Sequence, residues 1–581
     1  MDDRLFYICK YTPVELLEAY GAECELLDYM PRSFERSEAI LHPNVCGVGK
    51  SVIEAVLAGK VKDLVLVNCC DTIRTVYEIL RDRGLCGFLY FCDLPHSGTG
   101  CSVDSYAEEI RKLAKAYSAY KGTSFDKERF FSAFRPDRYA GRSDPYAAIL
   151  GGRCPKELAA KIAEKLPVET RNLSCAEGRN PAMPADGTYE ELTVGYARTL
   201  LGQIPCMRMN DIIGRKMLFN DSRLKAVIYN TVKFCDFYGF EYADIRNTLD
   251  LPILKLETDN SDQSAGQIAT RVEAFGECLS GLGVTTVNTP EETSGQKKSG
   301  SVPKGTDSSA AAGPHPAARK ENMYFAGIDI GSTSTDAVLI DEEKNILAKA
   351  MVPTTAKASN AFENVLGKLL GPAGITRDAL TGIVTTGYGR NTAGAGNKSV
   401  TEISCHAKGA FFLDAQVRSI IDIGGQDSKV ICLDDRGNVT NFVMNDKCAA
   451  GTGRFLEIMA RILELSIDEM AEAGLRYRED IIISSICTVF AESEVVSLVA
   501  QDKETCDIVH GLNESVAAKA ASLVNRAKAV PKFMMTGGVA KNRGVVKAIS
   551  EKLQAEITID EMAQYCGALG AALYALENEC S

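Results

Sequence analysis

The N-terminal half of the chain alternates short, strongly apolar runs with longer segments whose apolar residues recur at helical spacing. FYICK precedes PVELLEAYGAECELL, with Pro13 in the first helical turn, and DLVLVNCC precedes TIRTVYEILRDRG. HPNVCGVGKSVIEAVLAG places Cys46 directly before a further helix. A mostly helical middle follows, from Tyr106 to about Leu201, with a polar loop near Ser174 to Gly187. The alternation then resumes with IPCMRMND, LKAVIYNTVKFCDFYGFE and LPILKLETDNSDQSAGQIATRVEAF. Buried strands alternating with helices imply α/β architecture, a doubly wound parallel sheet covered on both faces, whose ligands collect beyond the carboxyl ends of the strands.

From about Gly283 to Asn322 the pattern stops. This stretch is rich in Ser, Gly, Pro, Lys and Ala and carries almost no large apolar side chain, so it buries too little to fold. The expected organisation is a first domain at 1–283, a flexible, disordered linker at 284–322 and a second domain at 323–581.

Apolar periodicity returns at Tyr324. Two β-rich runs, Tyr324–Ile330 and Thr335–Leu339, flank Gly331, Ser332, Thr333 and Ser334 and predict a hairpin whose tip offers backbone N–H and hydroxyl groups to a phosphate. Asp329 beside it is placed to hold Mg²⁺. SIIDIGGQDSKVICL repeats the pattern with Asp422, Gly424, Gly425, Gln426 and Asp427, and KFMMTGGVAKNRG puts Gly537, Gly538 and Lys541 after a third apolar strand. Three such turns in order, two with Asp at the same offset, specify a nucleotide cleft far better than one. Asp329, Asp422 and Gln426 are the candidate catalytic residues, and the turn residues with Lys541 the candidate nucleotide contacts.

At 581 residues the chain is too long for one core and fits about three or four units. A formal charge of −12 and a pI near 5.3 exclude a general nucleic-acid or anionic-membrane surface. MDDRLFYICK has no signal pattern and no apolar run approaches a membrane span, so the expectation is a cytoplasmic protein. There, 20 cysteines stay reduced, and such an excess points to metal or redox work.

Their placement narrows this. In NDKCAAGTGRFLE, Cys448 follows a polar turn at a helix start, and in SSICTVFAESEV, Cys487 repeats the arrangement 39 residues later. Helix N-termini favour the thiolate and an anionic ligand. Cys46, Cys70, Cys206 and Cys235 also lie at strand ends or helix starts, a placement open to both core thiols and metal ligands.

HPNVCGVGKS, VNCCDTIR, VKFCDFYGFE and LETDNSDQSAGQIATRVEAF resemble the iron–sulfur subunit of 2-hydroxyacyl-CoA dehydratases and their relatives, benzoyl-CoA reductase subunits and double-cubane cluster proteins. The resemblance implies two Rossmann-like halves, about 1–120 and 195–283, holding a cubane on Cys46, Cys70 and Cys235, with Cys206 available as a fourth ligand and Cys69 an ambiguous neighbour. This region is short and fused to another protein, so a complete dehydratase active site is not expected.

VTTGYGR, IDIGGQDSK, NDKCAAGTGRFLE, SSICTVFAESEV and YCGALGAALYA resemble the ATP-dependent activators of 2-hydroxyacyl-CoA dehydratases, within the acetate kinase, sugar kinase, Hsp70 and actin superfamily. That implies a two-lobed actin-like, ribonuclease H-like ATPase binding ATP and Mg²⁺. It also implies a homodimer in which Cys448 and Cys487 of each subunit complete one [4Fe-4S] cluster.

The function so implied is ATP-driven, low-potential electron transfer. A ferredoxin or flavodoxin loads the cluster, and hydrolysis drives an electron into a dehydratase- or reductase-type acceptor, either a separate protein or the tethered first domain. Two other readings of the second domain are a small-molecule kinase and a regulatory ATP-binding module with inert cysteines. A reading of the first domain is that it acts on an acyl-CoA or small substrate itself, through a double-cubane-like cluster.

Overall fold

A computed structural model of the chain describes residues 4–136, 139, 141–209, 211–261, 265–284, 323–355, 357–391, 398–446, 449–483 and 488–580. Nearly all of the expected linker, along with Cys448 and Cys487, lies outside the described residues. The chain divides into two compact units, Met1–Thr286 and Val287–Ser581.

In the first unit β1 (Leu5–Tyr7), β2 (Cys24–Leu26), β3 (Asp63–Val67) and β4 (Phe88–Cys92) form a parallel sheet in the order β2-β1-β3-β4. The run DLVLV is buried throughout because successive side chains enter different cores: Leu64 and Leu66 pack on one face, Val65 and Val67 on the other. A second parallel sheet repeats the order with β5 (Tyr146–Gly151), β6 (Glu169–Asn172), β7 (Leu224–Val232) and β8 (Ile253–Thr258), as β6-β5-β7-β8.

This corrects the reading of a helical middle and of a second half starting near 195. Two of the second sheet's strands come from that middle, so the second half begins at β5. YAAILG is buried at every position but short and alanine-rich, and ETRN has no apolar pattern at all. The halves interlock where the Asn260 side chain donates to Ser51 Oγ at 2.7 Å.

The second unit also repeats one topology. β9 (Tyr324–Ile330), β10 (Ser334–Asp341), β11 (Ile346–Pro353), β12 (Leu380–Thr386) and β13 (Lys398–Ser399) pair in the order β11-β10-β9-β12-β13. Likewise β14 (Ser419–Ile423), β15 (Ser428–Leu433), β16 (Val439–Asn445), β17 (Phe533–Thr536) and β18 (Ile557–Thr558) pair as β16-β15-β14-β17-β18. In each sheet the expected hairpin, β9 with β10 and β14 with β15, carries a third antiparallel strand on one side and parallel strands on the other.

The helices Glu402–Leu413 and Cys566–Cys580 cross at backbone contact distance. A Cβ on Gly570 would stand 1.8 Å from Cys405 O, and one on Gly409 2.2 Å from Cys566 O. This crossing holds Glu402 and His406 in place, so Gly570→Ala is expected to destabilise the unit by about 1–3 kcal/mol through overpacking. Calorimetric melting checks it, and an unshifted transition would show that the helices part freely. Among the described residues, no helix is long and apolar enough to cross a membrane.

Candidate functional site

The three glycine-rich turns of the second unit converge on one cleft of about 490 Å³, a volume suited to a nucleotide. Gly331 to Ser334, Gly424, Gly425, Asp427, Gly537, Gly538 and Lys541 all line it, together with Asp329 and Asp422. Gln426 is exposed at its turn and does not line the cleft. The first two turns touch: a Cβ on Gly425 would lie 2.1 Å from Thr333 Oγ1, so only glycine lets the second tip close on the first.

Beneath the cleft lies a buried charge network. Lys429, fully buried on β15, donates to Glu402 Oε1 at 2.6 Å, Asp427 Oδ1 at 2.9 Å and Asp422 Oδ2 at 3.1 Å. Thr536 Oγ1 donates to Asp422 Oδ1 at 2.9 Å, and His406 Nδ1 lies 3.2 Å from the same hydroxyl and 3.5 Å from Asp422. Burial alone would push Asp422 up, but His406, Lys429 and Thr536 hold its carboxyl down at about 2. Asp329 goes the other way, pushed well above the carboxylate range by burial and by Glu402 and Asp336.

Ligand atoms of Asp329, Glu402 and His406 lie within 4.8 Å of one another, and Asp329 Oδ1 is buried with no hydrogen-bond partner. An orphaned carboxylate oxygen amid other acids at a phosphate cleft fits a hard divalent cation, with Asp329 and Glu402 as its donors. Sequence reading gave Glu402, His406 and Lys429 no role. The available signal was Glu402 and His406 at i, i+4 on a helix capped by Thr401.

In the first unit the carboxyl ends of both sheets deliver Cys9, Cys46, Cys69, Cys70, Cys175, Cys206 and Cys235 to a single cavity. Cys70 and Cys235 occupy the same place in the two halves, three residues beyond β3 and β7, each as the N-cap of the next helix. The expected ligands Cys46, Cys70 and Cys235 are therefore brought together, with Cys206 and Cys69, and the sequence reading missed Cys9 and Cys175.

Cys70 is lowered to about 7 by a hydrogen bond from Cys69, by the backbone N–H groups of Ile73 and Thr72, and by Arg208. Burial pushes Cys46 up to about 11 and Cys235 to about 12. Seven cysteines lining one cavity are a soft donor set suited to iron–sulfur clusters, and among the described residues no three of their sulfurs lie within the 4.8 Å of one another that a single ion would need.

The family model for the BadF/BadG/BcrA/BcrD ATPase family matches residues 326–575. The 2-hydroxyisocaproyl-CoA dehydratase activator of Clostridioides difficile is 44% identical over 255 residues, which cover 44% of this chain and 96% of the relative. The activator of lactoyl-CoA dehydratase of Anaerotignum propionicum is 48% identical over 255 residues, covering 44% of this chain and 98% of the relative. The chain belongs to the BadF/BadG/BcrA/BcrD ATPase family.

In this family member the ATPase unit is preceded by a unit that matches the model for the 2-hydroxyglutaryl-CoA dehydratase D-component over residues 9–137 and 168–279. Among solved structures, component A of the Acidaminococcus fermentans (R)-2-hydroxyglutaryl-CoA dehydratase is 45% identical with a TM-score of 0.43, covering 45% of this chain and 100% of that one.

In the ATPase unit the phosphate turn is bonded directly to the helix Gly453–Ile462, which begins five residues after Cys448. Gly453 N donates to Gly424 O at 2.9 Å, and Arg454 N to Gly425 O at 2.8 Å.

Proposed function

We propose that this protein couples ATP hydrolysis in its second unit to low-potential electron transfer into an iron–sulfur centre held by its first unit, in the manner of a dehydratase activator joined to its acceptor. The observation that carries this reading is the convergence of seven cysteines in a unit fused to an activator-family ATPase. A single cubane takes at most four thiolates, so seven suit two adjacent cubanes. Bound there, such a centre would supply one-electron chemistry.

The remaining steps belong to the chain's own residues. Asp329 and Glu402 would hold the divalent cation and Asp422 would orient the attacking water, whereas Gln426, exposed and outside the cleft lining, would reach that water only if its turn moved. The Gly424 and Gly425 carbonyls carry movement of the phosphate turn into the helix that follows Cys448. Cys448 and Cys487 of two subunits hold one further cubane in a homodimer. Ile482, Val489, Phe490, Val496 and Val499, all exposed on or beside the helix Thr488–Ala500, supply the apolar surface a second copy would cover. A ferredoxin or flavodoxin is the external donor. The linker raises the effective concentration of the acceptor, and a separate dehydratase or reductase is the second destination for the electron.

The test is iron and sulfide analysis of the anaerobically purified full chain, with nucleotide affinity measured in parallel. The expected result is about eight irons in the first unit and about two more per chain from the shared cubane. Cys448→Ser or Cys487→Ser is expected to remove only the latter and to leave ATP binding intact. A colourless protein with full ATP turnover would overturn the reading in favour of a kinase or a regulatory module.

A further inference from the structure

The thiol cavity is also lined by cations. Lys10, Arg153 and Arg208 reach it, and their partners differ. Arg208 is engaged by Asn68 Oδ1 at 3.2 Å and by His96, and Lys10 Nζ donates to Ile204 O at 2.5 Å. Arg153 is only 7% exposed, and its Nη2, which makes no hydrogen bond, faces Asp28 Oδ1 in an ion pair at 3.7 Å. Lys10, likewise 7% exposed, and Arg153 are thus desolvated cations at the cavity wall, a charge that an anionic occupant would compensate.

Its position follows from the internal repeat. β1 and β5 are the equivalent first strands of the two halves, at the point where strand order reverses and doubly wound sheets bind ligands. The residues two and three beyond β1 are Cys9 and Lys10, and those beyond β5 are Arg153 and Cys154. Each half thus sends one cation to the cavity from the same turn, with Cys9 from the first half and no counterpart from Cys154 in the second. Both Lys10 and Arg153 act electrostatically on Cys175, whose sulfur also accepts from the Tyr238 hydroxyl.

We propose that Lys10 and Arg153, one from each half, form a cationic clamp on the iron–sulfur occupant of the seven-cysteine cavity, favouring its reduced form. This rests on the cluster reading above. One-electron reduction adds a negative charge to the cavity and removes none, so a fixed cation within a low-dielectric wall stabilises the product over the reactant. Donors to cluster sulfur act in the same direction. These are positioning residues: the thiolates hold the iron, and the cations set how readily it takes an electron from an external donor of the ferredoxin class.

The experiment uses the full chain carrying Cys448→Ser and Cys487→Ser, so that only the first unit holds iron, with iron analysis and a dithionite redox titration followed by electron paramagnetic resonance. Arg153→Gln is expected to keep its iron and, with one buried positive charge removed from the cavity wall, to lower the reduction equilibrium constant about tenfold, or about 59 mV for one electron. Lys10→Gln should shift it the same way and Arg153→Lys less. Arg171→Gln, which removes a buried arginine outside the cavity, should not shift it.

Iron lost from Arg153→Gln but retained in Arg153→Lys also supports the clamp. Full iron at the parental potential in both Arg153→Gln and Lys10→Gln overturns it and leaves the cluster reading standing. So does iron lost from both Arg153 variants while Lys10→Gln titrates as the parent. A parent chain that takes up no iron defeats the cluster reading instead.

Discussion

An Asp422→Asn protein is expected to lose ATP turnover by on the order of a hundredfold or more, the usual size of a lost acid–base or water-orienting group, while its iron content is unchanged. Asp422 is 1% exposed and accepts from both Thr536 and Lys429, with His406 beside it. With its carboxyl held at about 2 it is ionised throughout the working pH range, so the substitution removes a full charge while keeping the shape. The sign follows: a folded-state value below the ordinary 3.8 contributes stability that is present above pH ~4 and is lost as pH falls towards about 2. Lys429 keeps Glu402 and Asp427 as partners, so the buried ammonium stays compensated and the fold survives. Steady-state hydrolysis with parallel iron analysis measures the effect. Wild-type turnover would move the chemistry away from β14, and equal loss of iron and turnover would mean the unit had misfolded.

The parts legible from sequence share one property: their signal is local. DIGST, DIGGQD and TGG announce themselves because a backbone that closes on phosphate needs glycine at fixed offsets from a strand end, and all three turns line the cleft. DLVLV and LKAVIYNTV read as buried strands because both faces are covered.

What stayed hidden depends on tertiary partners. Lys429 in SKVICL looks like an ordinary polar strand position, and only the convergence of Glu402, Asp422 and Asp427 explains its complete burial. ETRN gives no strand signal, so nothing placed Cys175 at a strand end, although it lies three residues beyond β6. Cys9 lies two residues beyond a readable strand, but the next helix begins only at Val14, so no helix start marks it in the sequence. The internal repeat was hidden for the same reason: with β5 and β6 unread, the equivalence of β1 and β5 had no second member.

Cys235→Ala in the full chain is expected to lose at least about four of the about eight irons assigned to the first unit, one cubane or more. Cys154→Ala is expected to lose none. The comparison is demanding because both residues lie just beyond the end of a second-sheet strand. Cys235 caps the helix after β7 and lines the cavity, whereas Cys154, three residues past β5 and 1% exposed, does not line it. Cys154 packs against the loop after β6, its backbone N–H donating to Ser174 Oγ at 3.1 Å. Substitution there deletes a buried sulfur and no ligand, so the two variants separate metal binding from packing.

Cys9→Ala and Cys175→Ala decide the number of clusters. If two adjacent cubanes share the cavity, at least one of these should also lose iron, because six or more of the seven sulfurs are then ligands. If one cubane rests on Cys46, Cys70 and Cys235 alone, both retain a full complement of about four. Iron and sulfide analysis after anaerobic reconstitution distinguishes these outcomes. Equal loss from Cys235→Ala and Cys154→Ala would mean the metal is adventitious, and the first unit would then be a cluster-free docking partner for the ATPase.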